Sequence, residues 1–187
     1  AITGYNKAIA INLIGADYAY YQKARTQGYQ GEDRAKIATL KELLSRHDRS
    51  AYLVPAKYQL AETHFKLAEN DTAFGYFDDI LKHHSGSPYV KKSLLTMGLI
   101  HFRKERYEEA IASFKKVVED YPQDEDSRAA QLRIQDVYVE LGRIDEYNEW
   151  YAQYVPTGSV AELDSVNYRA AEKKYSAQDC AGAIPAF

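Results

Sequence analysis

Five histidines, a single cysteine and a short run of carboxylates are the residues of this 187-residue chain whose chemistry could reach beyond packing. His83 and His84 are adjacent, and neighbours on a helix point to different sides, so they make a poor pair of metal ligands. His64 and His101 occupy one slot of an internal repeat that elsewhere holds Tyr138, which argues for packing rather than ligation. No cysteine or carboxylate completes a ligand set at a recognised spacing, and no metal or cofactor is expected. Cys180 has no histidine near it in sequence to act as a base, and alone it forms no internal disulfide. Asp124-Glu125-Asp126 lacks the glycine and the terminal glutamate of a calcium loop and reads as acids at a helix start. Asn70-Asp71-Thr72 fits a glycosylation sequon and equally a turn with a helix cap. Phosphate loops, dinucleotide fingerprints, nucleophile elbows and zinc-protease motifs do not occur.

Composition narrows the function further. Lys plus Arg number 24 against 27 Asp plus Glu, a formal charge of −3 that offers no basic face for nucleic acid or for an anionic membrane. Seventeen tyrosines and only 5 prolines suit an all-helical protein whose aromatics fill gaps between helices. No stretch is long and apolar enough to span a bilayer, and the first residues lack the basic start and apolar core of a signal peptide.

The elements that position these residues follow from a repeat of about 37 residues. Stepping back 37 from Gly98, Phe102, Ala110, Phe114 and Val117 gives Ala61, Phe65, Ala73, Phe77 and Ile80. The same step forward takes Met97 to Ile134, His101 to Tyr138 and Phe114 to Tyr151, and a step of 73 takes Ala110 and Phe114 to Ala183 and Phe187. Within each unit the apolar spacing is helical, and Ser85-Gly86-Ser87-Pro88 and Leu141-Gly142-Arg143 carry turn chemistry. The spacing predicts first helices near 16–28, 54–67, 90–104, 127–141 and 164–176. Second helices are expected near 35–46, 72–84, 108–120, 145–155 and 181–187, with Tyr5-Asn6-Lys7-Ala8-Ile9 as the tail of an earlier one. The repeats read as 16–52, 53–89, 90–126, 127–163 and an incomplete 164–187, in one array spanning 1–187. Gly98, Ala61, Ala110 and Ala73 are small where the helices of a pair must cross. The fourth repeat has Gln135 and Tyr147 in those slots, so its helices are expected to cross at an altered distance.

Leu94-x2-Met97-Gly98-x2-His101, then Ala110-x3-Phe114, then Pro122, resembles the tetratricopeptide repeat (TPR) pattern, and the Ala-x3-Phe step recurs at Ala73/Phe77 and Ala183/Phe187. The match is good in the third unit, fair in the second and fifth, and poor in the first and fourth. The 36–37-residue spacing with Ser-Pro-Tyr or Tyr-Pro junctions is similar to TPR proteins of the Gram-negative cell envelope, such as outer-membrane-assembly lipoproteins and the Tol–Pal coordinator. The resemblance implies an all-α, right-handed superhelical solenoid of antiparallel helix pairs. It implies a non-enzymatic adaptor in the periplasm or at the outer membrane, whose partner is a protein or peptide. First helices would line the concave wall, contributing Tyr21, Arg25 and Tyr29; Tyr58, Glu62 and Lys66; Leu95, Leu99 and Arg103; and Leu132, Asp136 and Glu140. Lys66 and Arg103, equivalent one repeat apart, could clamp an acidic peptide or a C-terminal carboxylate. Both ends lack a polar capping element, from which a window of a longer array is expected, with association through uncapped ends. Two other readings stand beside the adaptor: a spacer acting through its edges, and an enzyme whose residues converge from several repeats.

Overall fold

Three devices recur along the chain and fix where helices start and stop. The structure is a computed structural model that describes residues 1–11, 15–122, 124–155, 160–177 and 179. The described residues form ten helices and no strands: α1 (Ile2–Ala10), α2 (Ala16–Tyr29), α3 (Asp33–Arg46), α4 (Leu53–Lys66), α5 (Asn70–His83), α6 (Tyr89–Arg103), α7 (Tyr107–Asp120), α8 (Glu125–Leu141), α9 (Ile144–Tyr154) and α10 (Val160–Ser176). The largest difference from the expected bounds is at α10, which starts at residue 160 rather than 164. The helix expected over 181–187, like Cys180, lies outside the described residues.

The first device closes each helix pair. Gly31, Ala68, Glu105 and Gly142 all have left-handed backbones, with φ of 75°, 60°, 57° and 67°, and they stand 37 residues apart. After each, the next N–H reaches back to the carbonyl of Gln27, His64, His101 or Tyr138 at 2.9–3.0 Å, the six-to-one bond that ends a helix. The slot that carries His64 and His101 is therefore a helix-ending slot, and the side chains of Gln27, His64 and Tyr138 are buried there.

The second device opens the next pair. The side-chain oxygens of Ser50, Ser87 and Asp124 accept from the backbone N–H of Tyr52, Tyr89 and Asp126, again at 37-residue steps. Asp124 thus caps α8, as the acidic run predicted. The third device is a pair of stacked tyrosines: Tyr21 on Tyr52 at 5.0 Å, and Tyr58 on Tyr89 at 4.7 Å. Asn70 departs from its expected role as a cap, because it is the first residue of α5 and the cap position belongs to Glu69.

The chain packs as two compact units that divide within α6, at Ser93 and Leu94. In the first, α1 packs on α2, α2 on α3, α3 on α4 and α4 on α5. Tyr20, Ala24, Ile37, Leu40, Leu43, Ala56 and Leu60 make its core. At the α4–α5 crossing Ala61 and Ala73 are both fully buried. His64 stacks on Tyr76 and donates from Nδ1 to Glu69, which also pairs with Arg34 of α3 at 2.6 Å. The histidine and the arginine hold the Glu69 carboxyl below its usual range.

In the second unit α7 packs on α8, α8 on α9, and α10 on both α8 and α9. Gly98 allows a close approach: a Cβ there would sit 2.5 Å from a ring carbon of Phe114, nearer than side chains tolerate. The fourth repeat is built differently. Tyr147 is 2% exposed and rings with Tyr138, Trp150 and Tyr151 at 5.6–6.1 Å, while α8 and α9 share far less close backbone approach than α2 with α3. Trp150, the only tryptophan, is buried and donates its indole N–H to Glu119 at 3.3 Å. Lys115 extends over the Trp150 and Tyr138 rings at 5.3 and 5.4 Å.

Candidate partner-binding cleft

Four of the residues expected on the first-helix wall come together in the first unit. Arg25 and Tyr29 on α2, with Glu62 and Lys66 on α4, line an open cleft of about 270 Å³ together with Gly28, Asp33, Lys36, Gln59 and Thr63. The spacing explains the convergence, since positions four apart on a helix share a face. The Arg25 guanidinium donates to the Tyr29 hydroxyl at 3.3 Å, which raises its pKa and holds the pair side by side. Lys66 is neutralised by Asp33 of α3 at 2.7 Å.

Lys36 enters this cleft from the first turn of α3, a second helix. Its chain lies over Gly28, where an added Cβ would be 3.2 Å from Cδ and 3.6 Å from Nζ. Among the described residues no carboxylate forms an ion pair with it. Burial pushes the Lys36 ammonium below the ordinary lysine value, opposed by the nearby charges of Glu62 and Asp33 and assisted by Lys66. The cleft therefore carries two cations, Arg25 and Lys36, that form no carboxylate ion pair among the described residues, beside the Glu62 carboxylate, the hydroxyls of Tyr29 and Thr63 and the Gln59 amide, and its three cations outnumber the two carboxylates Asp33 and Glu62. That set is suited to an anion.

The remaining wall residues lie elsewhere. Tyr58 is 7% exposed, with its ring edge against Phe77 and its face on Tyr89, so the expectation that it presents itself to a partner gives way to a core role. Tyr21 is half-buried under Tyr52, and that burial pushes its hydroxyl above the ordinary tyrosine pKa. In the second unit Leu95 and Leu99 are half-buried and Arg103 and Leu132 exposed. Asp136 is tied to Arg169 of α10 at 2.9 Å and to Arg133 at 3.3 Å, and Glu140 pairs with Lys173 at 2.7 Å. Lys66 belongs to the first unit and Arg103 to the second.

Sequence reasoning missed Lys36, Gly28, Asp33, Gln59 and Thr63. A signal was present. Steps of 37 place Lys36 on Ala73, Ala110 and Tyr147, and Gly28 on Phe65, Phe102 and Val139. The first repeat exchanges a large residue for glycine in one slot and a small residue for lysine in the other.

Among the described residues no group of three His, Cys, Asp or Glu side chains is placed to hold a metal ion, and no helix is long and apolar enough to cross a membrane.

Residues 92–124, spanning α6, α7 and the cap of α8, match the family model for the tetratricopeptide repeat. The fold is that of the TPR proteins. A TPR protein from Parabacteroides merdae has 16% identity and a TM-score of 0.67 over 100% of this chain and 69% of its own. YrrB, a TPR protein with an unusual peptide-binding site, gives 16% identity and a TM-score of 0.67 over 100% of this chain and 90% of its own. MamA gives 18% identity and a TM-score of 0.66, covering 83% of this chain and 85% of its own. No curated protein sequence matches this one. A TPR fold suggests a scaffold for protein–protein interaction. Within that frame the cleft lies where two first helices and one second helix of neighbouring repeats meet.

Proposed function

We propose that this chain is a non-enzymatic adaptor that captures an acidic segment of a partner protein in the α2–α3–α4 cleft. One observation carries the reading: Arg25 of the first helix α2 and Lys36 of the second helix α3 converge there without a carboxylate ion pair among the described residues. An Asp or Glu side chain, or a chain terminus, supplies the missing counter-charge, and Tyr29, 82% exposed, offers a ring and a hydroxyl at the rim. The test is fluorescence anisotropy with an Asp/Glu-rich peptide and its Asn/Gln counterpart. The acidic peptide alone binds, and Lys36→Glu or Arg25→Glu, each checked for helicity, weakens it about tenfold or more. Equal binding of both peptides removes the proposal.

A cell-envelope setting belongs to the same reading and is supported by the repeat spacing and by the Ser87-Pro88-Tyr89 and Tyr121-Pro122 junctions. Fractionation of the source cells tests it, and recovery of the protein with the cytosol rejects it. A second reading, association through the edges, is favoured by Tyr168 and Tyr175, which are 55% and 62% exposed and seven residues apart on α10. Sedimentation across a concentration series separates the two, since the adaptor binds its peptide at concentrations where it remains a monomer.

A further inference from the structure

Lys36 stands in a slot that the second, third and fourth repeats keep dry. Its equivalents Ala73, Ala110 and Tyr147 are all buried. A lysine there loses hydration of its charge, and a leucine or methionine would fill the same volume without that loss. The first repeat even accommodates the lysine, by holding glycine at 28 where the second and third hold phenylalanine. The methylenes lie over the Gly28 notch, and the amine is delivered into a cleft that opens to solvent. A repeat that breaks its own pattern twice, in two facing slots, to place one amine marks that amine for use.

The groups facing it define the chemistry. From α2 come Arg25 and Tyr29, from its own helix Asp33, and from α4 Glu62 and Lys66. Lys66 is occupied by Asp33 and Arg25 by a neutral hydroxyl, and Glu62 offsets only part of the remaining charge, so an incoming anion meets a net positive charge beside the amine. Partial burial favours the neutral, nucleophilic form of an amine over the ammonium. Lys7 and Lys41, by contrast, are exposed.

We propose that Lys36 is an acylation site, taking an acyl group from an anionic activated donor of the acyl-phosphate class, and that the resulting amide shuts acidic segments out of the cleft. In the reaction the lone pair of neutral Nζ attacks the acyl carbon and forms the C–N bond. The bond from that carbon to the phosphate oxygen breaks, phosphate leaves with the electron pair, and the extra proton on nitrogen passes to phosphate or solvent. No electrons are exchanged with an oxidant or reductant. Control of capture by this amide rests on the cleft being a site for acidic segments; the acylation does not.

The experiment treats the folded chain with a limiting dose of acetyl phosphate and follows each lysine by peptide mapping. Lys36 is acetylated at least about threefold faster than Lys7 and Lys41. Its lead disappears when the reaction is run in urea. After treatment the wild-type chain loses the Asp/Glu-rich peptide, whereas Lys36→Arg, which keeps the charge but resists the reagent, retains it. Labelling of Lys36 no faster than Lys7 and Lys41, or a lead that survives in urea, overturns the site. If Lys36 leads but the untreated chain never held the peptide, the acidic-segment reading falls and the acylation site stands. If the peptide binds and Lys36 does not lead, the acylation site falls alone.

Discussion

The hairpins α2–α3 and α8–α9 break the same rule of the repeat and survive it by opposite means. Both place a large side chain where Ala73 and Ala110 stand: Lys36 in one, Tyr147 in the other. In the first hairpin volume is removed across the interface, at Gly28, and the helices keep a close approach like that of α4 and α5. In the other, Gln135 also replaces the small residue on the first helix, and the backbones share less close approach. The gap fills with Tyr138, Trp150 and Tyr151 around Tyr147, and α9 ends after 11 residues where α3, α5 and α7 have 14. A compensated swap keeps the frame and frees a functional group to face solvent. An uncompensated one widens the crossing and uses aromatic area to restore the core.

The contrast is broken hardest at its aromatic end. Tyr147→Ala leaves the widened crossing without its central ring and lowers stability by about 3–5 kcal/mol, as does Phe114→Ala at the close crossing beside Gly98. Chemical denaturation measures both, and a loss no larger than that of a surface substitution would count against the packing described. Gly98→Ala comes next: its methyl meets the Phe114 ring, which must shift, at a cost of about 1–3 kcal/mol. The corresponding Gln135→Ala loses less than Tyr147→Ala, because that crossing is already open.

Lys36→Ala sharpens the comparison, since it restores the usual residue to the slot. It leaves thermal stability equal or higher, because a half-buried ammonium is gone, while capture of an acidic peptide is lost. A lower melting temperature would show the lysine to be a packing residue. The smallest effect is in the turns. Ala68→Gly and Glu105→Gly relieve left-handed backbones that Gly31 and Gly142 adopt at no steric expense, and each raises stability by about 0.5–1 kcal/mol after the extra entropy of the unfolded glycine.

Most of the architecture was legible because the period is carried by side-chain volume. Gly98 facing Phe114, Ala61 with Ala73, and the Ser87 junction can each be read from residue size and turn chemistry. Helix starts were read late at α3, α5 and α8, since Glu32 and Glu69 cap α3 and α5 without a side-chain bond and the Asp124 cap of α8 is plain only once its bond is seen. The left-handed turn was legible at Gly31 and Gly142 but not at Ala68 and Glu105, whose side chains do not announce it.

The cleft was half legible. Arg25, Tyr29, Glu62 and Lys66 follow from the face of a first helix, whereas Lys36 arrives from a second helix and from the repeat that fits the pattern poorly. Tyr58 was misplaced because a tyrosine's face and hydroxyl suit a core stack as well as a binding wall, and only its neighbour at the start of the next first helix, Tyr89, decides between them.

The single tryptophan gives the chain an optical division of labour. Excitation at the red edge of protein absorbance addresses Trp150 alone, and its indole is enclosed by α7 and α9 of the second unit, against Glu119 and Lys115. Its emission therefore reports the melting of that unit, while circular dichroism reports every helix. Overlaid curves from the two signals would make the units one cooperative system; separated curves would give each unit its own transition, read from a chromophore the sequence already contains.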